Sequence, residues 1–328
     1  MPRQGAAAFL ASLILPHRAV TGGPMGEIYP VSSPNAIAAN VLVTGVKLVT
    51  APWLSVLVLT IGPMSGSASG PAGDAWEVPW GILRRRSRVY PPEPPGRPGV
   101  CAVCRGPAGP GYTRCYQCAR HELLGPGLLA DAVVPVSYAV KGTAFAADLW
   151  RYKADRVPLA LAAAARTSLL ALLLAFLRDH GGCVWRQAGM AAPGCLAVVP
   201  TGCGRPGPHP LLDLAAPFLR LPQARLVIRP GRQGRDPDEG RFHAERGRLK
   251  ANVLLLEDSW VSGSSAQSAA AALKRAGAGR VAVIVLGRHL DPADRFGAAL
   301  AARTAETSYD PGRCAVHDVQ RTKEIASL

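Results

Sequence analysis

Eight cysteines stand at 101, 104, 115, 118, 183, 195, 203 and 314, and four of them form two C-x-x-C pairs in CAVCRGPAGPGYTRCYQC (101–118). Each pair presents two thiolates on one side of a turn, and the ten residues between the pairs hold three glycines and two prolines that let the loop fold back. Two such knuckles supply the tetrahedron of sulfurs that Zn2+ takes, so Cys101, Cys104, Cys115 and Cys118 are the expected ligands. Four thiolates leave no open position, which makes the site structural; the alternative is unligated cysteines in a loop. The remaining cysteines, read singly, are core or loop residues. This usage belongs to a reducing compartment rather than to a disulfide framework, and the expected location is cytoplasmic.

A second stretch carries chemistry of another kind. In VLLLEDSWVSGSSA (253–266) an apolar run meets Glu257 and Asp258, and then four serines surround Gly263. Two adjacent carboxylates cannot both face a core; they need water, a cation or ligand hydroxyls. Val261-Ser262-Gly263-Ser264-Ser265 leads into a helix, and backbone N–H groups at a helix start attract a phosphate, with glycine allowing close approach. Carboxylates beside a phosphate cradle suit a ligand with vicinal hydroxyls next to a phosphate. No H-E-x-x-H, Ser/His/Asp arrangement or G-x-x-x-x-G-K-[ST] loop is present, so ATP hydrolysis is not expected.

The elements that must position these residues alternate. The patterning predicts strands over 132–140, 195–200, 225–229, 252–257 and 281–287. Helices are predicted over Leu159 to Arg178, Leu211 to Leu219 and Ala266 to Ala276, the last ended by Gly277 and Gly279. Continuous apolar strands between helices imply an α/β fold with a doubly wound, mostly parallel sheet, preceded by the small zinc knuckle. The expected organisation is 1–95 as an extension, 96–125 as the knuckle, 126–310 as the α/β domain and 311–328 as a tail.

Residues 1–95 differ from the rest. Their only acids are Glu27, Asp74, Glu77 and Glu93, and they end in Arg84, Arg85, Arg86, Arg88 and PPEPPGRPG. They read as a poorly ordered extension, or as translated sequence upstream of the natural start. Lys47, Gly45 and Pro52 interrupt the apolar stretch 36–64, and a span wants about 20 nearly unbroken apolar residues, so no membrane crossing is expected. No secretory signal is expected either. The net charge of +15 comes largely from arginine. Two readings of it stay open: a composition bias on a solvated surface, and affinity for phosphates, in nucleic acid or in a small molecule.

LLLEDSWVSGSS resembles the phosphoribosyl-diphosphate signature of type I phosphoribosyltransferases. Together with the four-cysteine knuckle, LWRYKADR (149–156) and the Val-Val-Pro strand end at 198–200, it resembles the ComF-like family, over about residues 100–290. The resemblance implies that Glu257 and Asp258 are the catalytic pair, holding the ribose 2- and 3-hydroxyls. Residues 261–265 would cradle the 5-phosphate. Pro200, Thr201 and Gly202 would begin the diphosphate loop, Arg205 would contact the diphosphate, and Lys153 would approach the ligand. Mg2+ would accompany the diphosphate. The chain departs from the family at GRPGPHPLLDLA (204–215), where His209 is read as a capping or surface residue, and at Trp260, where a smaller residue is usual. The loop 229–246, with Arg229, Arg232, Arg235, Arg241 and Arg246, is either a hood over the diphosphate or a solvated loop.

The implied reaction breaks the C1–O bond to diphosphate through an oxocarbenium-like state. The protein then has to position the partners and neutralise the leaving group, with no covalent nucleophile. The expected partner is a sugar phosphate. The alternative is a non-catalytic accessory protein binding single-stranded DNA through the basic, aromatic knuckle. The acceptor and the oligomeric state stay open.

Overall fold

The computed structural model describes residues 89–200, 209–232, 234, 236–245, 249–307 and 313–316, and the backbone of three strands nearer the N-terminus. The chain forms two compact units, Met1–Ala75 and Trp76–Leu328. In the first, β1 (Leu10–Leu13), β2 (Val43–Ala51) and β3 (Leu54–Ile61) form an antiparallel sheet in the order β1-β3-β2. Strands β2 and β3 occupy the apolar stretch 36–64, and Ala51 pairs with Leu54 where the chain turns back. Valine, threonine and leucine dominate both segments, which suits a pleated sheet. Apart from these strands and residues 89–95, the stretch expected as an extension lies outside the described residues.

The second unit begins with a short edge contact. Tyr90 bridges Tyr138, its carbonyl accepting from the Tyr138 N–H at 2.8 Å, so the chain joins the sheet ahead of residue 95. The knuckle follows, with α1 (Tyr116–Arg120) and a 3-10 turn at His121–Leu124. Next come β4 (Ala132–Val140), α2 (Ala144–Arg151), α3 (Leu159–Gln187), β5 (Cys195–Val198) and α4 (Pro210–Leu219). A hairpin of β6 (Leu226–Ile228) and β7 (Phe242–Ala244) stands in its own two-stranded sheet. The chain continues as β8 (Asn252–Trp260), α5 (Ser264–Arg275), β9 (Arg280–Leu290) and α6 (Arg295–Ala305).

The central sheet is parallel throughout, in the order β4-β9-β8-β5. Its strands are buried on both faces. Val253, Leu255, Val281 and Val283 share a cluster with the α5 alanines 266, 269 and 270, while the alternate residues Leu254, Leu256, Ala282 and Ile284 are buried as well. Continuous apolar runs are what a sheet covered on both sides requires. Helices α2 and α3 pack against β4 and β9. Helix α3 is long and apolar enough to cross a membrane by length and composition, and half of its most apolar window is buried. Leu169, Leu172, Leu173 and Phe176 contribute to that core face.

The sequence patterning missed β1, β2 and β3 within the expected extension, the short α1, and α2, α6 and the short β7 in the second unit. Thr143 and Asp294 announce α2 and α6, since their side chains accept from Ala146 N and Gly297 N as N-caps. Two strands run longer than expected, because pairing, and not hydrophobicity, ends a strand. Strand β8 pairs through Ser259 and Trp260 with Gly287 and Arg288 of β9, so the acid pair lies inside the strand near its carboxyl end.

Candidate functional site

Strand β8 delivers Asp258 into the interior of unit 2, where only 3% of it is exposed. Helix α2 ends at Arg151, and the two residues that follow meet this carboxylate. Lys153 Nζ donates to Oδ2 at 2.7 Å, and the Tyr152 hydroxyl donates to the same oxygen. His209 Nε2 lies 3.9 Å from it, while His209 Nδ1 accepts from Leu211 N at 3.0 Å and caps α4. Burial pushes the Asp258 pKa up, but the Lys153 charge and the bonds from Lys153 and Tyr152 outweigh it and hold the group below the ordinary value. Glu257 goes the other way. Burial, and then the charge of Asp258, raise it to about 8, against the pull of Lys153. Near neutral pH the pair therefore carries one firm negative charge and one carboxyl that holds its proton. Such a pair offers both an acceptor and a donor to neighbouring hydroxyls.

Three residues beyond β8 the chain reaches Gly263, the N-cap of α5, with φ +81°. Only a glycine sits there easily, for two reasons. The left-handed backbone disfavours other residues, and a Cβ would fall 2.0 Å from the Trp260 ring. Trp260, 1% exposed, is thus the floor on which the serine loop rests. Ser262 Oγ accepts from Ser264 N at 3.4 Å and lies 3.2 Å from Ser264 Oγ. No side chain of Gly263 can cap α5 and no acid occupies its first turn, so the partial positive charge of this helix end is uncompensated by a local carboxylate. Arg241, from the turn into β7, adds a cation: its Nη1 donates to Ser265 Oγ at 3.2 Å.

The four knuckle sulfurs lie within 4.8 Å of one another, and Cys104 Sγ is 3.8 Å from Cys115 Sγ. Four sulfurs at about 2.3 Å from a zinc ion form a tetrahedron with edges of about 3.8 Å, so these residues fit the metal. The knuckle is built into the domain. Arg288 of β9 donates from Nε to Cys104 Sγ at 3.4 Å and from Nη1 to the Trp260 carbonyl at 3.1 Å. Gly106 lies flat on that guanidinium, where a Cβ would come within 2.0 Å of it. His121 meets Trp260 edge-on, with ring centroids 5.9 Å apart, and burial lowers its pKa so that the ring is neutral. A continuous stack therefore runs from the metal ligands through Arg288 and Trp260 to the serine loop.

Of the residues singled out in the sequence, the structure gathers Lys153, Glu257 and Asp258 at one strand end, and Val261 through Ser265 at the start of α5. Val261 itself is 69% exposed. Pro200 stands two residues past the end of β5, after Val199, whose N–H donates to the Leu256 carbonyl of β8 at 3.0 Å. Thr201, Gly202, Cys203 and Arg205 lie outside the described residues, as do Arg235 and Arg246. Within the arginine-rich loop the described residues are tied down. Asp236 accepts from Arg120 at 2.7 Å, and Asp238 N donates to Ser268 Oγ at 2.9 Å, so the loop is docked between knuckle and α5. Sequence reasoning missed Tyr152 and Arg241 as site residues. Tyr152 is adjacent to Lys153, a signal that could have found it; Arg241 was one of five arginines with nothing local to set it apart.

No protein-family model, no curated protein and no solved structure matches the chain. The fold and the site define the class: an α/β protein with a four-stranded parallel sheet and a four-cysteine cluster suited to zinc.

Proposed function

We propose that the chain is a ComF-like, type I phosphoribosyltransferase-like protein that binds 5-phosphoribosyl 1-diphosphate, with Mg2+ arriving on the diphosphate. The observation that carries this reading is the order of groups at the end of β8. An ionised Asp258 and a proton-holding Glu257 are followed at once by a serine-rich loop on a helix start free of acids. In parallel α/β sheets, ligands enter at the carboxyl ends of the strands. On this reading the acid pair takes the ribose hydroxyls and residues 262–265 take the 5-phosphate, with Arg241 neutralising charge. Lys153 holds Asp258 in place and faces the same ligand. The protein's part in transfer is orientation and electrostatic stabilisation of the departing diphosphate. Four cysteines gathered as metal ligands are the cysteine usage of a reducing compartment, which supports a cytoplasmic location.

Calorimetric titration of the zinc-loaded protein with 5-phosphoribosyl 1-diphosphate and Mg2+ tests the reading. Saturable binding is expected, weakened roughly 10- to 100-fold by Asp258→Asn through loss of charged hydrogen bonds. A folded, zinc-loaded protein that releases no heat of binding would overturn it.

One surface supports a second reading. Tyr112 and Tyr116 are 73% and 72% exposed on the knuckle, and the Arg120 guanidinium lies 5.7 Å from the Tyr116 ring centre. Exposed aromatics beside arginines stack on unpaired bases, which favours a single-stranded DNA accessory role. Retention on single-stranded DNA should then fall steeply with salt, and a flat response would argue against it.

A further inference from the structure

We propose that His180, Cys183 and Cys314 form a second zinc site, separate from the four-cysteine knuckle, which holds the C-terminal segment to α3. The metal-binding atoms of the three side chains all lie within 4.8 Å of one another. His180 and Cys183 are three apart on α3 and so share one face of it. Cys314 reaches them from more than a hundred residues away, out of the described residues 313–316, which form no helix or strand.

The knuckle helps to fix that segment. Arg105 Nε donates to the Ala315 carbonyl at 2.7 Å, and Ala315 is fully buried. With its neighbour anchored there, Cys314 is 2% exposed; His180 is 4% exposed, and Cys183 is half-buried. Chain topology thus brings together an imidazole and two thiols that the sequence scatters.

The donor set selects the ion. One nitrogen and two sulfurs suit Zn2+ and disfavour Mg2+ and Ca2+, which want oxygen. Two thiolates and one divalent cation sum to zero charge, the arrangement that a buried position tolerates best. Three protein ligands leave the fourth tetrahedral position to water or another small donor, unlike the closed knuckle. Around a bound zinc the donor separations are roughly 3.3–3.8 Å, so donors that already lie within 4.8 Å of one another need at most rotamer-scale adjustment. A Cys183–Cys314 disulfide is the competing chemistry, and it would leave His180 without a role there.

The test uses the full chain, purified in reductant with Zn2+ and passed through a weak chelator. Elemental analysis should show about one equivalent less zinc in Cys183→Ser, and in His180→Gln, than in the unaltered protein. The four-cysteine site is intact in both variants, so its zinc cancels in the difference. Unchanged zinc in both folded variants would overturn the proposal, as would a Cys183–Cys314 crosslink found in the reduced, zinc-loaded protein. Cadmium-113 NMR of the unaltered chain needs no variant. Two resonances are expected, one at the shift of four thiolates and one at that of two thiolates and an imidazole; a single four-thiolate resonance would sink the second site. Neither readout depends on binding at the serine loop.

Discussion

The two ends of the parallel sheet treat their carboxylates in opposite ways. At the amino end, Asp131 meets Lys274 Nζ at 2.7 Å, Arg280 Nη1 at 2.8 Å and the Val281 N–H at 2.7 Å. Burial raises its pKa, but the bonds from Lys274, Val281 and Arg280 win and hold it low. One acid there has two cations. At the carboxyl end, two acids share one lysine, and one of them keeps its proton near neutral pH. The first arrangement is a closed structural clamp joining the end of α5 to the starts of β4 and β9. The second leaves hydrogen-bonding capacity unspent inside the domain, and such capacity is what a binding site offers.

Gly263→Ala should disturb the carboxyl end most. The left-handed backbone and the collision with Trp260 together should remove about 3 kcal/mol of stability. Loss of Trp260 fluorescence shape in the folded variant would follow from the displaced loop. Denaturant unfolding measures the loss; a variant as stable as the parent would mean that the ring does not floor the loop.

Asp131→Asn comes next. Losing the charge shared with Lys274 and Arg280 should cost about 2 kcal/mol, while calorimetric affinity for the diphosphate ligand stays unchanged. An affinity that fell with stability would erase the distinction between the two ends.

The subtlest effect is a slope. Glu257 sits at about 8 in the folded chain against a usual 4.5. Between those values the unfolded chain has released a proton that the native chain retains, so stability falls as pH rises, by at most about 1.4 kcal/mol per pH unit. Partial exposure of the side chain softens this slope. Glu257→Gln should flatten the fall in unfolding free energy between pH 5 and pH 8, measured by denaturant titration at each pH; an unaltered slope would place the proton elsewhere. Asp258 contributes with the opposite sign, its stabilisation being lost in acid as pH drops through its lowered pKa.

Much of this architecture was legible in the chain. The strand at 132–140 has the expected bounds, and the other four strands and three helices were located with shifted ends. Helix α3 extends nine residues past Arg178 and carries Gly181 and Gly182 between the buried His180 and Val184. The adjacency of acids, serines and glycine was visible. The role of Trp260 was not, since nothing near it in sequence says that a ring will lie beneath Gly263.

The amino-acid order by itself determined the local features. Cysteine spacing sets two metal-binding turns, apolar runs between helices set a parallel α/β sheet, and a glycine between serines sets a helix start open to anions. Only the tertiary structure decided which distant groups meet. Lys153 reaches Asp258 across 105 positions, Arg288 reaches Cys104 across 184, and Cys314 reaches His180 and Cys183. Periodicity and turn chemistry act over a few residues and can be read from a window. Contacts of this kind depend on strand order and register, which arise when several elements bury their apolar faces together.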